Sequence, residues 1–260
     1  MSSASPGNLP PGSEQQEMPL IEHLLELRNR LLKMVLAVLV CFAVLFPFRN
    51  ELYLIMAGPL MELLPVGQSM IATDITATFF APMKLALVLS VFVAIPIILY
   101  QLWSFIAPGL YAHEKKLAFP LLFSSILLFY LGAIFAYYVV FPLVFGFFTA
   151  VGPEGIVELP DITSYLNFVL KMFFAFGVAF EIPIATILMI LSGATTPQEL
   201  SAKRPYVVVG CFIIGMMLTP PDLISQTLLA VPMWLLFEIG VLFGYLAVRH
   251  RPDDGYPDDV

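Results

Sequence analysis

Apolar residues along this chain form six long runs, separated by short segments that are rich in proline, glycine and charged residues. The runs cover residues 31–48, 79–106, 117–141, 165–191, 205–218 and 223–248. A helix of about 20 apolar residues crosses the hydrocarbon core of a bilayer, and most of the runs approach or exceed this length. The pattern therefore predicts an all-α polytopic membrane protein with six transmembrane helices.

The fifth run is the exception, because residues 205–218 number only 14. At about 1.5 Å per residue, a helix of this length reaches about 21 Å, which is less than a core of roughly 30 Å. Two explanations remain open. The helix continues past its apolar edge, or the short span thins the bilayer locally, near a site that conducts protein.

Proline residues lie within three of the runs, at Pro96, Pro183 and Pro232. Each proline lacks a backbone donor and clashes with the carbonyl four residues earlier. Pro183 is therefore expected to disturb the helical turn at Ala179, beside Glu181. Because kinked helices pack into curved bundles, the prolines also predict a concave receptor.

The distribution of lysine and arginine predicts that both termini lie in the cytoplasm. With the N-terminus inside, nine basic residues fall in inside segments: Arg28, Arg30, Lys33, Lys115, Lys116, Lys203, Arg204, Arg249 and Arg251. Three fall outside or at the outer ends of helices: Arg49, Lys84 and Lys171. Cytoplasmic loops carry an excess of lysine and arginine, so this bias favours an N-in/C-in topology.

The polar ends and one long loop complete the predicted organisation. Residues 1–17 contain no lysine, arginine or apolar core, so we expect a disordered cytoplasmic N-terminus rather than a secretory or transit peptide. Residues 18–248 form the six-span membrane domain, and residues 249–260 form an acidic cytoplasmic tail. The outer loop, 50–78, is expected to hold one or two short helices, broken at Gly58-Pro59 and at Pro65.

Composition supports a membrane protein and excludes several classes of function. The chain is 60% hydrophobic and 12% charged, whereas soluble domains are about 45–50% apolar and about 25% charged. The net charge is −7 and no basic stripe is present, which argues against nucleic-acid binding. Cys41 and Cys211 both lie in apolar runs and are interpreted as small buried hydrophobic residues rather than a disulfide.

The histidines and acidic residues offer no catalytic arrangement. His23, His113 and His250 all lie at or beyond the ends of the apolar runs, and the sequence contains no HExxH or phosphate-binding GxxxxGK[ST] motif. The isolated carboxylates have no spacing suited to a metal. We therefore expect neither enzymatic activity nor a cofactor or metal.

A carboxylate near the middle of the fourth run, Glu181, is the first functional candidate. A charge in the middle of a span costs roughly 2.5–3.5 kcal/mol on insertion scales. Lys171 lies ten residues earlier and is too far along the helix to pair with it. Two arrangements would remove this cost. Glu181 is protonated and forms a local hydrogen bond, or it contacts a polar residue on a partner's transmembrane helix.

Two further carboxylates lie near the cytoplasmic surface, and each has two explanations. Glu26 lies on the polar face of a predicted interfacial helix, 18–33, whose apolar stripe is Leu20, Leu24, Leu27 and Leu31. It either pairs with Arg30 at i,i+4, worth about 0.2–0.5 kcal/mol, or is offered to a cationic ligand. Glu114 either complements the positive end of the third span or offers a second carboxylate to that ligand.

Several sequence motifs then point to a known family. They are HLLELR at 23–28, YQLWSFIAPGLY at 100–111, FEIP at 180–183, KRPY at 203–206 and LTPPD at 218–222. In this order they resemble the TatC family, the receptor subunit of the twin-arginine protein translocase. The resemblance extends from about residue 19 to residue 245, and the number of motifs makes it highly specific.

The resemblance implies six helices with cytoplasmic termini and a receptor in the bacterial cytoplasmic (inner) membrane. Such a receptor binds twin-arginine signal peptides of folded precursors. It also implies an oligomeric complex with TatA-like and TatB-like single-span proteins, driven by the proton-motive force. Signal-peptide binding is assigned to Glu26, Glu114, Arg28, Phe105 and Leu110. A carboxylate accepts a guanidinium bidentately, whereas lysine is only a point charge, which would explain a preference for arginine.

The resemblance also implies a region that contacts the single-span partners. Glu181 resembles the family's glutamate on the concave side. Met216, Thr219 and Gln226 resemble its polar contact region, although Thr219 and Gln226 could equally cap a turn. Pro220, Pro221 and Asp222 form the tight turn between the last two spans.

Two other classes of protein share some of these features. A small-molecule secondary transporter would also hold a kinked span and a carboxylate near the midplane. Transporters commonly show paired internal repeats, and no convincing repeat is present here. A structural scaffold without its own ligand site is the third class, and it would not bind signal peptide in the absence of partners.

Overall fold

The computed structural model describes residues 13–62, 70–106, 115–151, 160–218 and 223–249, and all of its regular elements there are helical. The order is α1 (Ser13–Leu45), a 3₁₀ turn (Phe46–Phe48), α2 (Arg49–Met61), α3 (Ala77–Ile106), α4 (Lys115–Phe135), a π-helix (Ala136–Val140), α5 (Phe141–Val151), α6 (Ile162–Ala179), α7 (Ile182–Leu191), α8 (Pro197–Ala202), α9 (Arg204–Leu218) and α10 (Leu223–Arg249). The predicted all-α fold is confirmed. The predicted segment 1–17 overlaps α1 from Ser13, and the division of the chain into domains stays a prediction.

The predicted spans correspond to helical segments of the structure. Five segments of the described chain are long and apolar enough to cross a membrane: Leu24–Gly58, Ala77–Phe105, Phe119–Phe147, Ile162–Leu191 and Gln226–Leu246. The sixth is α9, a shorter apolar helix of 15 residues. It exceeds the predicted run by a single residue, so continuation past the apolar edge does not bring α9 to the full thickness of a bilayer core.

The fourth span breaks where Pro183 was expected to break it. Helix α6 ends at Ala179, and α7 begins at Ile182 with Pro183 in its first turn. At the break, the backbone N–H of Glu181 bonds to the carbonyl of Val178, three residues earlier, at 3.0 Å. Because Pro183 has no backbone N–H to donate, the helix tightens into a single turn with i→i−3 hydrogen bonding, and Glu181 lies in this turn between α6 and α7.

The predicted break at Gly58-Pro59 is wrong, because α2 continues through both residues to Met61. The absence of a proline N–H leaves the carbonyl of Ile55 without its helical partner. The hydroxyl of Tyr137 donates to that carbonyl at 3.1 Å. A side chain from a neighbouring span thus satisfies the group that the proline leaves open, and the helix persists.

The core is an aromatic cluster shared by α3, α4, α5 and α6. Phe92, Phe129, Phe141, Phe173 and Phe176 are all buried in it. The rings of Phe92 and Phe173 meet edge to face at 5.7 Å, as do those of Phe141 and Phe173 at 5.3 Å. By contrast, α1 packs on the outside of this bundle, and none of its span-forming window is buried within the chain. Leu24, Leu27 and Leu31 of α1 are therefore left facing lipid or another protein.

One end of the bundle is held together by Asp161, which caps the start of α6. Its carboxylate accepts hydrogen bonds from the N–H of Ser164 at 2.9 Å and from the hydroxyl of Thr73 at 2.8 Å. The backbone N–H of Thr73 also donates to it, at 3.1 Å. Beside the cap, the N–H of Ile162 bonds to the carbonyl of Ile71 at 2.9 Å. These bonds join the beginnings of α3 and α6 at the end of the molecule that we call the Asp161 end.

The same hydrogen bonds predict a dependence of stability on pH. They hold the pKa of Asp161 down at about 2, from a usual value of 3.8, with the bond from the Ser164 N–H as the largest cause. A lowered pKa in the folded state stabilises the fold above the unfolded pKa, and this contribution is lost as pH falls from about 4 to about 2. Asp161→Ala should remove it together with the cap, costing about 1 kcal/mol, or a fall of about 2–4 °C in Tm.

Thermal unfolding in detergent at several pH values tests this prediction. Asp161→Asn is the matched control, because asparagine caps a helix equally well but does not titrate. We expect the Tm of Asp161→Asn to be close to that of wild type at neutral pH. Below pH 4, the Tm of this variant should fall less than the Tm of wild type does. A loss of Tm on acidification as large as that of wild type would show that another group carries the effect.

Candidate functional site

A polar cleft lies between α1 and the last turns of α3, at the end opposite Asp161, which we call the Glu26 end. The cleft is open and has a volume of about 550 Å³. Its lining consists of Leu25, Glu26, Asn29, Arg30, Lys33, Tyr100, Gln101 and Ser104. The helical period of α1 places Glu26, Asn29, Arg30 and Lys33 on one face, which is the face that meets α3.

Arg30 is the most heavily bonded side chain in this cleft. Its Nε donates to Oε1 of Glu26 at 2.9 Å, and its Nη2 donates to the same oxygen at 2.5 Å. Nη2 also donates to the backbone carbonyl of Ser104 at 3.1 Å, and Nη1 lies 3.5 Å from the carbonyl and the side-chain oxygen of Gln101. One guanidinium group thus bridges a carboxylate and the carbonyl end of α3.

Two features of α3 make this position favourable for a cation. The last four carbonyls of a helix have no partner within the helix, and they carry the partial negative charge of the helix dipole. Arg30 is only 17% exposed here, whereas the side chain of Glu26 is 41% exposed. The carboxylate is therefore held in place from one side and remains accessible to solvent.

The predicted Glu26–Arg30 ion pair is confirmed, and binding of a ligand by Glu26 stays a prediction. Arg28 is exposed and bonds to the side chain of Asn29 at 3.4 Å, so it lies beside the cleft and does not line it. Phe105 is partly buried, one residue before α3 ends. Leu110 and Glu114 lie outside the described residues.

Glu181, in the break between α6 and α7, faces a polar residue of α4. The hydroxyl of Ser125 donates to Oε2 of Glu181. Ser125 itself is fully buried. The second oxygen, Oε1, is buried and has no hydrogen-bond partner among the residues that the structure describes. The structure thus supplies the local hydrogen bond, while contact with a partner's helix stays a prediction.

The other predicted contact residues lie at the Asp161 end, around the connection between α9 and α10. Met216 is 51% exposed and Gln226 is partly buried. The backbone of Gln226 lies so close to Gly215 that a Cβ on the glycine would be 3.3 Å from the Gln226 carbonyl oxygen. Thr219, Pro220, Pro221 and Asp222 lie outside the described residues, so the predicted tight turn and the capping alternative stay predictions.

The structure adds polar groups that sequence reasoning did not single out. Gln101 and Ser104 line the cleft, and both lie within the quoted run at 100–111. Ser125 was overlooked, although a pair of serines in an apolar run is a visible signal. Glu238, a second carboxylate within a span, accepts two hydrogen bonds from Arg204 at 2.7 and 2.8 Å, which ties α10 to the start of α9.

Known proteins with similar sequences match most of the length of this chain. Residues 22–232 match the family model described as "Sec-independent protein translocase protein (TatC)". A protein of this name from Azotobacter chroococcum mcd 1 is 58% identical over 243 residues, covering 94% of this chain and 95% of the relative. The corresponding protein of Escherichia coli (strain K12) is 54% identical over 231 residues, covering 89% and 90%.

A solved structure is also similar. It is a crystal structure of the twin arginine translocase receptor TatC, which is 40% identical to this chain. The TM-score is 0.78, and the match covers 87% of this chain and all of the solved one, 100%. The likeness therefore includes nearly all of the described helices.

Proposed function

The chain belongs to the TatC family of Sec-independent protein translocase proteins, and on this premise we propose that its cleft at Glu26 binds the paired arginines of twin-arginine signal peptides. The protein is a receptor component of the twin-arginine translocase, embedded in a membrane, and is not an enzyme. The family assignment replaces the alternatives of a small-molecule transporter and of a scaffold without a ligand site.

One observation carries this proposal: the cleft already binds a guanidinium group. Arg30 bonds at once to Glu26 and to the carbonyls of Ser104 and Gln101. These acceptors suit the planar fork of an arginine, whose donors lie in fixed directions, better than the single ammonium of a lysine. An arginine of the signal peptide can take up the same kind of contacts on the exposed side of the Glu26 carboxylate.

A second carboxylate is needed because positive charges outnumber the single negative charge of Glu26 in the cleft. Arg30 and Lys33 bring two positive charges against one negative charge among the lining residues. Two further arginines would be repelled unless another anionic group were present. Glu114 precedes α4 directly in the sequence, and we assign it this role beside Glu26. Arg28, Phe105 and Leu110 are proposed to contact the signal peptide around the two carboxylates.

The proposed binding side is the cytoplasm. The excess of basic residues at the Glu26 end supports cytoplasmic termini in a bacterial inner membrane. Precursor proteins carrying the signal would meet the cleft before export. The sequence has no nucleotide-binding motif, so transport energy is proposed to come from the proton-motive force.

The partners within the translocase are proposed to be TatA-like and TatB-like single-span proteins in an oligomeric complex. Exposed Met216, with Thr219 and Gln226 nearby in the sequence, would meet a polar residue of a partner's helix. Oε1 of Glu181 has no hydrogen-bond partner among the described residues, and this supports a second polar contact, because a buried acceptor without a partner is costly. The described helices α9 and α10 would then form the docking face for these partners.

Cross-linking from two positions tests both assignments in one experiment. A photoreactive residue at Asn29, which lines the cleft, should capture a precursor with an Arg-Arg signal and capture its Lys-Lys variant several-fold less. The same residue at Met216 should capture a single-span subunit instead. Capture of both precursors in equal amounts at Asn29 would overturn the binding assignment. Absence of any single-span adduct at Met216 would overturn the partner assignment.

A further inference from the structure

A larger groove lies in the membrane-spanning part of the chain, between α3, α6, α9 and α10. Its volume is about 940 Å³. Most of its wall is apolar, including Val88, Leu170, Phe174, Val178, Ile214 and Met233. The polar cleft at Glu26 shares no lining residue with it. The groove is therefore a separate feature of the fold.

Three polar side chains line the same groove: Lys84, Asn167 and Lys171. The ammonium group of Lys84 donates to the amide oxygen of Asn167 at 2.5 Å. Lys84 lies seven residues into α3 and Lys171 nine residues into α6, or about 10 and 14 Å from the helix starts. Because bonds around Asp161 join those two starts, the lysines occupy similar depths, near the Asp161 end.

The two lysines have no negative partner in the described part of the chain. None of the groove's lining residues is acidic, and neither lysine forms an ion pair with a described residue. Ionised groups within membrane spans are costly, and they are found paired or reaching toward the headgroups. Among the described residues, both ammonium groups therefore lack an anion, which a lipid of the surrounding membrane can supply.

The length of the groove matches one leaflet of a bilayer. From Lys171 to Ile182, which also lines it, the path of eleven residues spans about 16 Å, close to half of a core of about 30 Å. The α3 and α6–α7 spans are each 30 residues long, or about 45 Å, which exceeds a core of about 30 Å by about 15 Å. With this excess at the Asp161 end, the two lysines lie near the edge of the core, and the apolar wall beyond them is about one leaflet deep.

We propose that this groove binds an anionic phospholipid from the leaflet at the Asp161 end. The phosphate group contacts Lys84 and Lys171, the amide of Asn167 adds a polar contact, and the acyl chains lie against Val178 and Met233. A partner's transmembrane helix fits less well, because such a helix crosses both leaflets and the groove is one leaflet long. The lipid site does not depend on recognition of signal peptides.

Native mass spectrometry of the full-length protein in detergent tests this proposal. The protein is titrated with phosphatidylglycerol or with phosphatidylcholine of the same acyl chains. Lys84→Gln combined with Lys171→Gln should weaken phosphatidylglycerol binding roughly 25-fold, since each lysine contributes about fivefold to binding an anionic lipid surface. Phosphatidylcholine binding should not change. Lys203→Gln, an exposed lysine at the opposite end, is the matched control.

A second variant tests the apolar wall without changing the lysines. Val178→Trp places a large ring in the groove and should also weaken phosphatidylglycerol binding. Val209→Trp on α9 has a comparably exposed position outside the groove and should not. Excess inorganic phosphate should not displace the lipid, because it has no apolar chain. Unchanged binding in both groove variants, or equal affinity for the two lipids in the wild type, would overturn the lipid site.

Photo-cross-linking in native membranes separates the lipid from a protein occupant. A photoreactive residue at Phe174, a partly exposed part of the groove wall, should gain the mass of a phospholipid. Adducts formed with a single-span protein in place of lipid would assign the groove to a partner helix and overturn the proposal. Signal-peptide binding should remain at the wild-type level in the lysine variant, so the two proposals can fail independently.

Discussion

Replacing Glu26 and Glu114 together with glutamine is expected to weaken binding of a twin-arginine signal peptide by about a thousandfold. A hydrogen bond to a charged group is worth about 1.5–3 kcal/mol, so each carboxylate contributes about thirtyfold. Glu26→Gln alone should weaken binding about thirtyfold. This value corresponds to about 2 kcal/mol, in the lower half of the range, because the Glu26 side chain is 41% exposed and water competes for the arginine. Binding is measured with a labelled signal peptide and the purified receptor in detergent.

Two controls separate loss of binding from loss of charge or of fold. Glu51→Gln removes one negative charge from an exposed position in α2, far along the chain from the cleft, and should bind as wild type does. A Lys-Lys peptide should bind weakly to every variant, so that the glutamine substitutions change its affinity much less. Equal affinities of the Glu26→Gln and Glu51→Gln receptors for the Arg-Arg peptide would remove Glu26 from the site.

Much of this architecture could be predicted from the sequence because a bilayer imposes simple rules. Apolar runs of the right length must be helices, since every backbone polar group has to be satisfied within the span. Pro183 identified the break between α6 and α7 because a proline at that position cannot donate to the carbonyl of Ala179. The Glu26–Arg30 pair followed from i,i+4 spacing alone.

The features that sequence reasoning missed depend on contacts between distant residues. The carbonyl of Ile55 needed a donor, and only the tertiary fold shows that Tyr137 supplies it. Likewise, nothing near Glu181 in the sequence indicates Ser125, which lies 56 residues away in another span. Local patterns predict which backbone groups lose their helical partners. They do not predict which side chain, from which helix, replaces that partner.

A second large effect is expected at Gly132, where α4 meets α6. A Cβ added there would lie 2.5 Å from the backbone oxygen of Phe176 and 3.0 Å from the ring of Phe180. Backbone cannot move aside as a flexible side chain does, so the two helices would have to separate. Overpacking of this kind costs about 1–3 kcal/mol. Gly132→Ala should therefore lose about 2 kcal/mol and about 4–8 °C in Tm, measured by thermal unfolding in detergent.

Gly132→Leu should prevent the helices from packing, so that no folded protein is recovered. The added side chain would force apart the interface that brings Ser125 to Glu181, and both polar groups would then be buried without a partner. Two glycines serve as controls. Gly210→Ala meets nothing within 4 Å and should not lose stability, whereas Gly244→Ala meets only the flexible end of Ile190 and should lose less than Gly132→Ala. Three equal melting temperatures would show that close approach at Gly132 does not limit the packing of α4 against α6.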